Sequence, residues 1–232
     1  MLEFFQNLWN QFYNAILANE RYLIYLDGLG NTLLIALVAC GIGLAIGTII
    51  AIVKYYAGIR QSKGWKAAAA VCNLYTTVIR GTPIILQLLI IYSITVWTKG
   101  TIACFIGFGI NSGAYVSEII RSGINSVNIG QTEAGRSLGL SEGATMRLIV
   151  LPQAIKNILP ALFNEFIALV KETSVAGYIA VRDLTMAANS IKSRIFNIMP
   201  LLIVAVVYLI MVLGLTQIQK RMERRLARSD RH

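Results

Sequence analysis

Between Leu33 and Val53 the chain carries no charged side chain. At about 1.5 Å of helical rise per residue, that stretch is just long enough to cross a hydrocarbon core of about 30 Å. Ile198 to Gln219 forms a second uncharged stretch of similar reach. Composition agrees with a bilayer: 56% hydrophobic residues, 14% charged residues and a mean hydropathy of +0.64 are too apolar for an ordinary soluble domain of 232 residues. The net charge of +10 does not point to nucleic acid, because the basic residues are scattered between apolar blocks.

Three further segments read as spans. One begins near Lys66 with an alanine run, passes through Arg80-Gly81-Thr82-Pro83 and continues apolar from Ile84 to Trp97, as a long interrupted span. Another runs from Thr101 to Ile124, but Asn111, Ser112, Tyr115, Glu118 and Arg121 turn part of it away from lipid. A third, Leu148 to Val170, contains Lys156, Asn157, Asn164 and Glu165 and needs protein or water on one side. The total is five spans. Within the first, Ala39, Gly43, Gly47 and Ala51 form a small-residue stripe that lets another helix approach closely.

Before these spans, Phe4, Phe5, Leu8, Trp9, Phe12, Tyr13, Ile16 and Leu17 recur at helical spacing, with Gln6, Asn7, Asn10, Gln11 and Asn14 opposite them. This pattern predicts an interfacial helix. No Lys or Arg precedes Arg21, so the basic start of a cleaved signal peptide is missing and the segment is expected to be retained. The tryptophans Trp9, Trp65 and Trp97 fall where membrane interfaces are expected.

Cations set the orientation. Lys54, Arg60, Lys63 and Lys66, then Arg121, Arg136, Arg147 and Lys156, then the tail cluster from Lys220 to Arg231, place 14 of the 21 basic residues on one side. That side is assigned as cytoplasmic, with the amino terminus outside. The Arg221–Arg231 cluster also suits anionic headgroups. The organisation expected is an extracytoplasmic amphipathic segment over 1–27, a membrane domain over 28–221 and a basic tail over 222–232.

Chemistry-bearing motifs are sparse. Cys40, Cys72 and Cys104 stand singly in apolar segments, without metal or disulfide spacing, and read as packing residues. The histidine, His232, is terminal and has no partner in the sequence. A membrane-embedded hydrolase would need HExxH, GxSxG or a comparable set, and none occurs. A channel would need a ring of pore-lining groups and would leave the loop described next without a purpose.

That loop is the segment 131–152. Gln131 to Leu138 suits a short helix, Gly139 allows a left-handed stop, and Ser141 can cap a following helix. Glu133-Ala134-Gly135, then Gly139 after three residues, then Ile149-x-Leu151-Pro152 after nine more, resembles the EAA loop in permease subunits of binding-protein-dependent ABC importers. Gly135 stands where a second alanine is usual, which weakens the helix slightly. The resemblance extends through Asp27-Gly28, Asn31-Thr32, Val78-Ile79-Arg80-Gly81-Thr82-Pro83 with Gln87, Asn111 with Ala114, Tyr115 and Glu118-Ile119, Asn164-Glu165-Phe166, and Lys171-Glu172-Thr173-Ser174. Together these narrow it to the polar amino acid permeases, those of histidine, arginine, glutamine and glutamate importers.

The resemblance implies an all-α integral membrane protein of five transmembrane helices, with an N-terminal interfacial helix and a cytoplasmic coupling helix, in the type I ABC importer architecture. It implies a prokaryotic cytoplasmic membrane and two permease chains, identical or homologous. Their partners would be a pair of ATPase subunits and an extracytoplasmic amino acid binding protein. Glu133, Ala134, Gly135, Gly139 and Leu140 would couple to the ATPase. No phosphate loop of the form GxxxxGK followed by Ser or Thr occurs, so ATP and its Mg belong to the partner subunit and no cofactor is expected on this chain.

The residues also suggest a substrate site. Glu165 lies inside a span, where an ionisable group is costly unless it is used or paired. It is either the acceptor for the ammonium or guanidinium of a basic amino acid, or half of a salt bridge with Lys156, Lys171 or Arg121. Asn157, Ala161, Asn164, Glu165 and Ala168 lie near one helical face as a small and polar wall. Gly81-Thr82-Pro83, with Gln87 a turn later, is either a helix break offering backbone N–H groups to a carboxylate or a packing kink. Asn111 borders the same pathway, while Glu118 and Arg121 read as a structural pair. A basic substrate (arginine, histidine or lysine) is favoured, with glutamine as the alternative.

Overall fold

The computed structural model describes residues 1–60, 62–95 and 99–228. Trp97, Arg231 and His232 lie outside the described residues. Those described form helices and connecting turns with no strand among them.

The first helix, α1 (Leu2–Ile16), leaves Phe4, Phe5, Leu8, Trp9 and Tyr13 exposed, as its amphipathic pattern requires. It ends in a turn where Asn19 and Glu20 adopt positive φ, and the Arg21 guanidinium donates to the Asn14 carbonyl across that turn. The chain then enters α2 (Tyr22–Arg60), which is longer than the uncharged stretch. Asp27-Gly28 and Asn31-Thr32 therefore lie within the first long helix instead of before it.

The stripe on α2 meets α5 (Gly100–Asn125) along the most extensive helix–helix contact among the described residues. A Cβ at Gly43 would fall 2.7 Å from Ser112, and one at Gly47 2.6 Å from Val116, so these positions need hydrogen for the backbones to approach. Gly109 and Gly113 of α5 receive Ile42 and Ile46 reciprocally.

The interrupted segment departs from the straight reading. Helices α3 (Lys63–Gly81) and α4 (Ile84–Ile94) meet at Thr82-Pro83 with a bend of 110°. Thr82 is extended at φ −121°, ψ 146°, because the proline ring crowds the helical conformation of the residue before it. Among the described residues, four helical stretches are long and apolar enough to cross a membrane, and the bent pair adds a fifth if it counts as one span.

A short pair, α6 (Ile129–Ser137) and α7 (Glu142–Thr145), follows α5. Helix α7 continues through a π turn over Met146–Val150 into α8 (Leu151–Glu172) and a 3₁₀ segment to Ile179. Helix α9 (Leu184–Ile195) and the long α10 (Met199–Arg228) complete the described residues. The main core is built of Ile35, Leu88, Cys104, Phe108, Leu169 and Val170, where α2, α4, α5 and α8 converge. A second cluster joins Tyr25 of α2 to Leu184, Ala188 and Ile191 of α9 and Val204 of α10. Helix α10 leaves Leu202, Val206, Leu209, Ile210 and Leu213 exposed, as lipid contact would demand.

Candidate functional site

Local rules suffice to build the α6–α7 hairpin. Asn128 caps α6 by accepting from the Gly130 N–H at 2.8 Å. Leu140 N–H reaches back to the Gly135 carbonyl at 3.2 Å, and Gly139, at φ +82°, takes the left-handed position that ends the helix. Ser141 accepts from Ala144 N–H at 3.3 Å and starts α7. Gly135 is buried, and a Cβ there would meet Thr145 Cγ2 and Ile149 Cδ1, each at 2.8 Å. Glycine at this position thus lets α6 lie close against α7 and the π turn. Glu133 and Ala134 are exposed to solvent, as are Ile129 (74% exposed) and Leu138 (81% exposed). Sequence reasoning passed over those last two side chains. Their signal was available, since large apolar residues flank an otherwise polar nine-residue helix.

The hairpin shares one end of the bundle with the α2–α3 connection. Tyr55 of α2 lines a groove of about 610 Å³ with Asn128, Thr132 and Glu142. One residue earlier on α2, Lys54 Nζ lies 2.9 Å from Glu118 Oε1 and 3.3 Å from Thr76 Oγ1, while Arg121 holds the other Glu118 oxygen at 2.8 Å. The Glu118–Arg121 pair is present, and Lys54 extends it to α2 and α3. That third member was not foreseen.

At the start of α4, the Gln87 side chain turns back into the Thr82-Pro83 break. Its amide nitrogen lies 2.7 Å from the Ile79 carbonyl, 3.0 Å from the Thr82 carbonyl and 2.8 Å from the Thr82 hydroxyl. Carbonyls that α3 leaves open at its end are satisfied in this way. Asn111 of α5 donates to the Gln87 oxygen at 3.0 Å, so Thr82, Gln87 and Asn111 form one chain of hydrogen bonds. Beside Asn111, the Ser112 hydroxyl donates to Glu165 Oε1 at 2.9 Å and joins α5 to α8. The Arg121 partner considered for Glu165 is engaged by Glu118 instead. Ala161 lies one turn from Glu165 in a separate groove of about 560 Å³ with Arg80, Tyr115 and Asn157. Asn164 is exposed on the adjoining flank of α8.

Over residues 43–228 the chain matches the family described as the binding-protein-dependent transport system inner membrane component. It belongs to that family. The permease is 38% identical to the arginine transport system permease protein ArtQ of Bacillus subtilis over 88% of its own length and 93% of that protein's. It is 37% identical to the putative glutamine transport system permease protein GlnP of Rickettsia felis, over 89% and 94% of the two chains. A solved structure of an amino acid ABC transporter with histidines superposes with a TM-score of 0.82 at 40% identity, covering 88% of this chain and 94% of the other. The permease is thus a polar amino acid ABC permease of type I importer architecture, a multi-pass protein of the inner membrane.

At the end of the permease away from the hairpin, the early motif residues find their use. Asn31 Nδ2 donates to the Arg182 carbonyl at 2.9 Å, Leu184 N–H donates to the Thr32 hydroxyl at 3.1 Å, and Asp27 lies 3.8 Å from Arg182. Gly28 leaves room for Asp183 and Ala187. Asp183, fully buried, caps α9 through the Thr185 and Met186 N–H groups at 2.8 and 3.0 Å. The sequence reading overlooked this residue, although an Asp directly before an apolar-periodic helix is a recognisable start signal.

Proposed function

We propose that this permease carries a basic amino acid (arginine, lysine or histidine) inward by alternating access, with Glu165 accepting the cationic side chain. The observation that carries the reading is the Ser112–Glu165 hydrogen bond, which holds a carboxylate inside the bundle beside the Asn111–Gln87–Thr82 chain. A neutral hydroxyl brings no positive charge of its own to the carboxyl group, which leaves Glu165 open to pairing with an ammonium or guanidinium group. Gln87 and Thr82 hold the wall of the pathway, Asn111 borders it, and Ala161 and Asn164 continue it along α8. The arginine named for one relative and the histidines named for one solved structure support a basic substrate. Glutamine, named for the second relative, is the alternative.

ATP and Mg are used by a partner ATPase pair. A second permease chain, identical or homologous, completes the membrane unit, and an extracytoplasmic binding protein delivers substrate. Glu133, Ala134, Gly135, Gly139 and Leu140 receive the motor's movement, with Ile129 and Leu138 as apolar contacts beside them. The basic connections and the tail lie in the cytoplasm and the amino terminus lies outside, because Lys and Arg are retained on the inner side. Residues 1–27 act as the outer interfacial segment, 28–221 as the membrane domain and 222–232 as the basic tail.

The test is ATP hydrolysis by the permease reconstituted with its ATPase and binding protein, stimulated by a panel of amino acids. Stimulation by arginine, lysine or histidine that Glu165→Gln selectively removes is the expected result. Equal stimulation of both proteins would make Glu165 structural, and stimulation by glutamine alone would establish the alternative.

A further inference from the structure

Arg60, at the end of α2, carries a charge that neither the hairpin nor the substrate pathway uses. Its guanidinium lies 5.3 Å from the Tyr56 ring centroid and 6.0 Å from that of Trp65, and the two rings pack on each other at 5.4 Å. Tyr56 stands one turn back on α2 and Trp65 in the first turn of α3, so the stack closes the corner between the two helices. Among the described residues no carboxylate lies within ion-pair distance of Arg60. Lys63 and Lys66 follow it, both exposed, and the sequence holds no Asp or Glu between Asp27 and Glu118. Glu118 is itself taken by Lys54 and Arg121. Three exposed cations therefore gather at this corner without an anion to balance them. Retention on the inner side of a membrane needs charge alone. A guanidinium seated on two rings adds geometry, because its plane is held while its N–H edge stays open to a phosphate.

Below the corner each helix continues into an exposed apolar face. On α2, Ile49, Ile52, Tyr56 and Arg60 follow one another at helical spacing, and on α3, Lys63 is followed on one face by Val71, Leu74 and Val78. Both faces thus run from apolar side chains to cation, with the aromatic pair where they meet. That is the order of acyl chain, interface and headgroup in one leaflet. We propose that the α2–α3 corner is a binding site for an anionic phospholipid of the inner leaflet, with Arg60 on the phosphate, Lys63 and Lys66 around the headgroup and the chains along Ile52 and Leu74. It rests on the inner-side placement of the basic connections proposed above.

Trp65 supplies a local reporter. The full-length permease with Trp9→Phe and Trp97→Phe is placed in phosphatidylcholine vesicles containing a minor fraction of phosphatidylglycerol or of phosphatidylcholine, each brominated on its acyl chains near the headgroup. Brominated phosphatidylglycerol is expected to quench Trp65 with an apparent association at least about 5-fold stronger than brominated phosphatidylcholine. Arg60→Gln should bring the two lipids close to equality, and Arg60→Lys should keep part of the difference. Equal quenching by both lipids in the Arg60 protein overturns the inference without any further variant having to fold. So does an undiminished preference in Arg60→Gln, and so does the absence of quenching by either lipid, which would mean that a second copy of the chain covers this face. Loss of the preference on adding soluble glycerol phosphate would show a site for free phosphate and overturn the lipid reading. The side of the membrane is read separately, from Ser62→Cys in a chain with Cys40, Cys72 and Cys104 replaced by Ala. Modification by an impermeant maleimide only after the cells are opened is expected, and modification of intact cells would overturn the inner-leaflet placement whatever the quenching shows.

Discussion

The Ser112 hydroxyl lies 2.9 Å from Glu165 Oε1, across the contact between α5 and α8. A hydrogen bond to a charged group contributes about 1.5–3 kcal/mol, so Ser112→Ala should weaken a basic substrate by about 10- to 100-fold. The apparent KM for arginine-stimulated ATP hydrolysis measures this. An unchanged KM would mean that Ser112 does not orient the carboxylate.

Gly41 and Gly47 lie on one helix but face different surroundings. A Cβ at Gly41 meets nothing within 4 Å, whereas one at Gly47 would fall 2.6 Å from Val116 and 2.8 Å from the Ser117 backbone nitrogen. Gly41→Ala should be neutral or stabilising by up to about 1 kcal/mol. Gly47→Ala should cost about 1–3 kcal/mol through overpacking. Thermal denaturation of the two purified variants separates them, and equal melting temperatures would show that α2 and α5 are not closely packed at Gly47.

Lys54 joins α2 to Glu118 of α5 and Thr76 of α3. Lys54→Met leaves Arg121 as the remaining cation on Glu118 and should cost about 1–3 kcal/mol. Adding Glu118→Gln should cost less on that background than in the wild type, because the Lys54 contact is already gone. A double-mutant cycle with no coupling between the two positions would argue against the cluster.

The cap on α9 is expected to be sensitive to substitution and to pH. Asp183→Ala removes the acceptor for two backbone N–H groups and should cost about 1–2 kcal/mol. Burial pushes the Asp183 carboxyl above its ordinary range, opposed by the hydrogen bonds from Thr185 and Met186. An acid raised in the folded state contributes stability below its unfolded value and loses it as pH rises through the folded value. Stability should therefore fall over that window on the alkaline side of the ordinary Asp value and level off above it. Asp183→Asn should flatten the curve, which a melting series against pH will show.

Gly135 tests the hairpin. Gly135→Ala introduces a Cβ 2.8 Å from both Thr145 Cγ2 and Ile149 Cδ1, which should push α6 outward at a cost of about 1–3 kcal/mol. The complex should hydrolyse ATP with weaker dependence on substrate. Thr145→Ser, which deletes one of the two clashing methyls, should restore part of the coupling. Wild-type coupling in the single variant would show that the close approach is dispensable.

How much of this was legible beforehand follows from the range of each interaction. The hairpin was readable because Gly139 and Ser141 act on backbone groups three to five residues away. The α3–α4 break was readable at Pro83, but its 110° bend was not, because Gln87 and Asn111 hold the angle from other turns and another helix. The Asp27–Thr32 motif was visible as a pattern without a purpose until Arg182 and Leu184, some 150 positions later, arrived beside it.

The sequence by itself determined the bilayer class, the small-residue stripe, the α6–α7 hairpin and the family. Hydrophobic length and capping depend on near neighbours in the chain and on the solvent. Only the tertiary structure decided which partner each buried polar group meets: Ser112 for Glu165, Lys54 and Arg121 for Glu118, and Tyr115 for Arg80. Those choices depend on the depth and rotation of each helix about its axis. Depth and rotation are set by close contacts such as Gly43 on Ser112 and Gly47 on Val116, which no local pattern specifies.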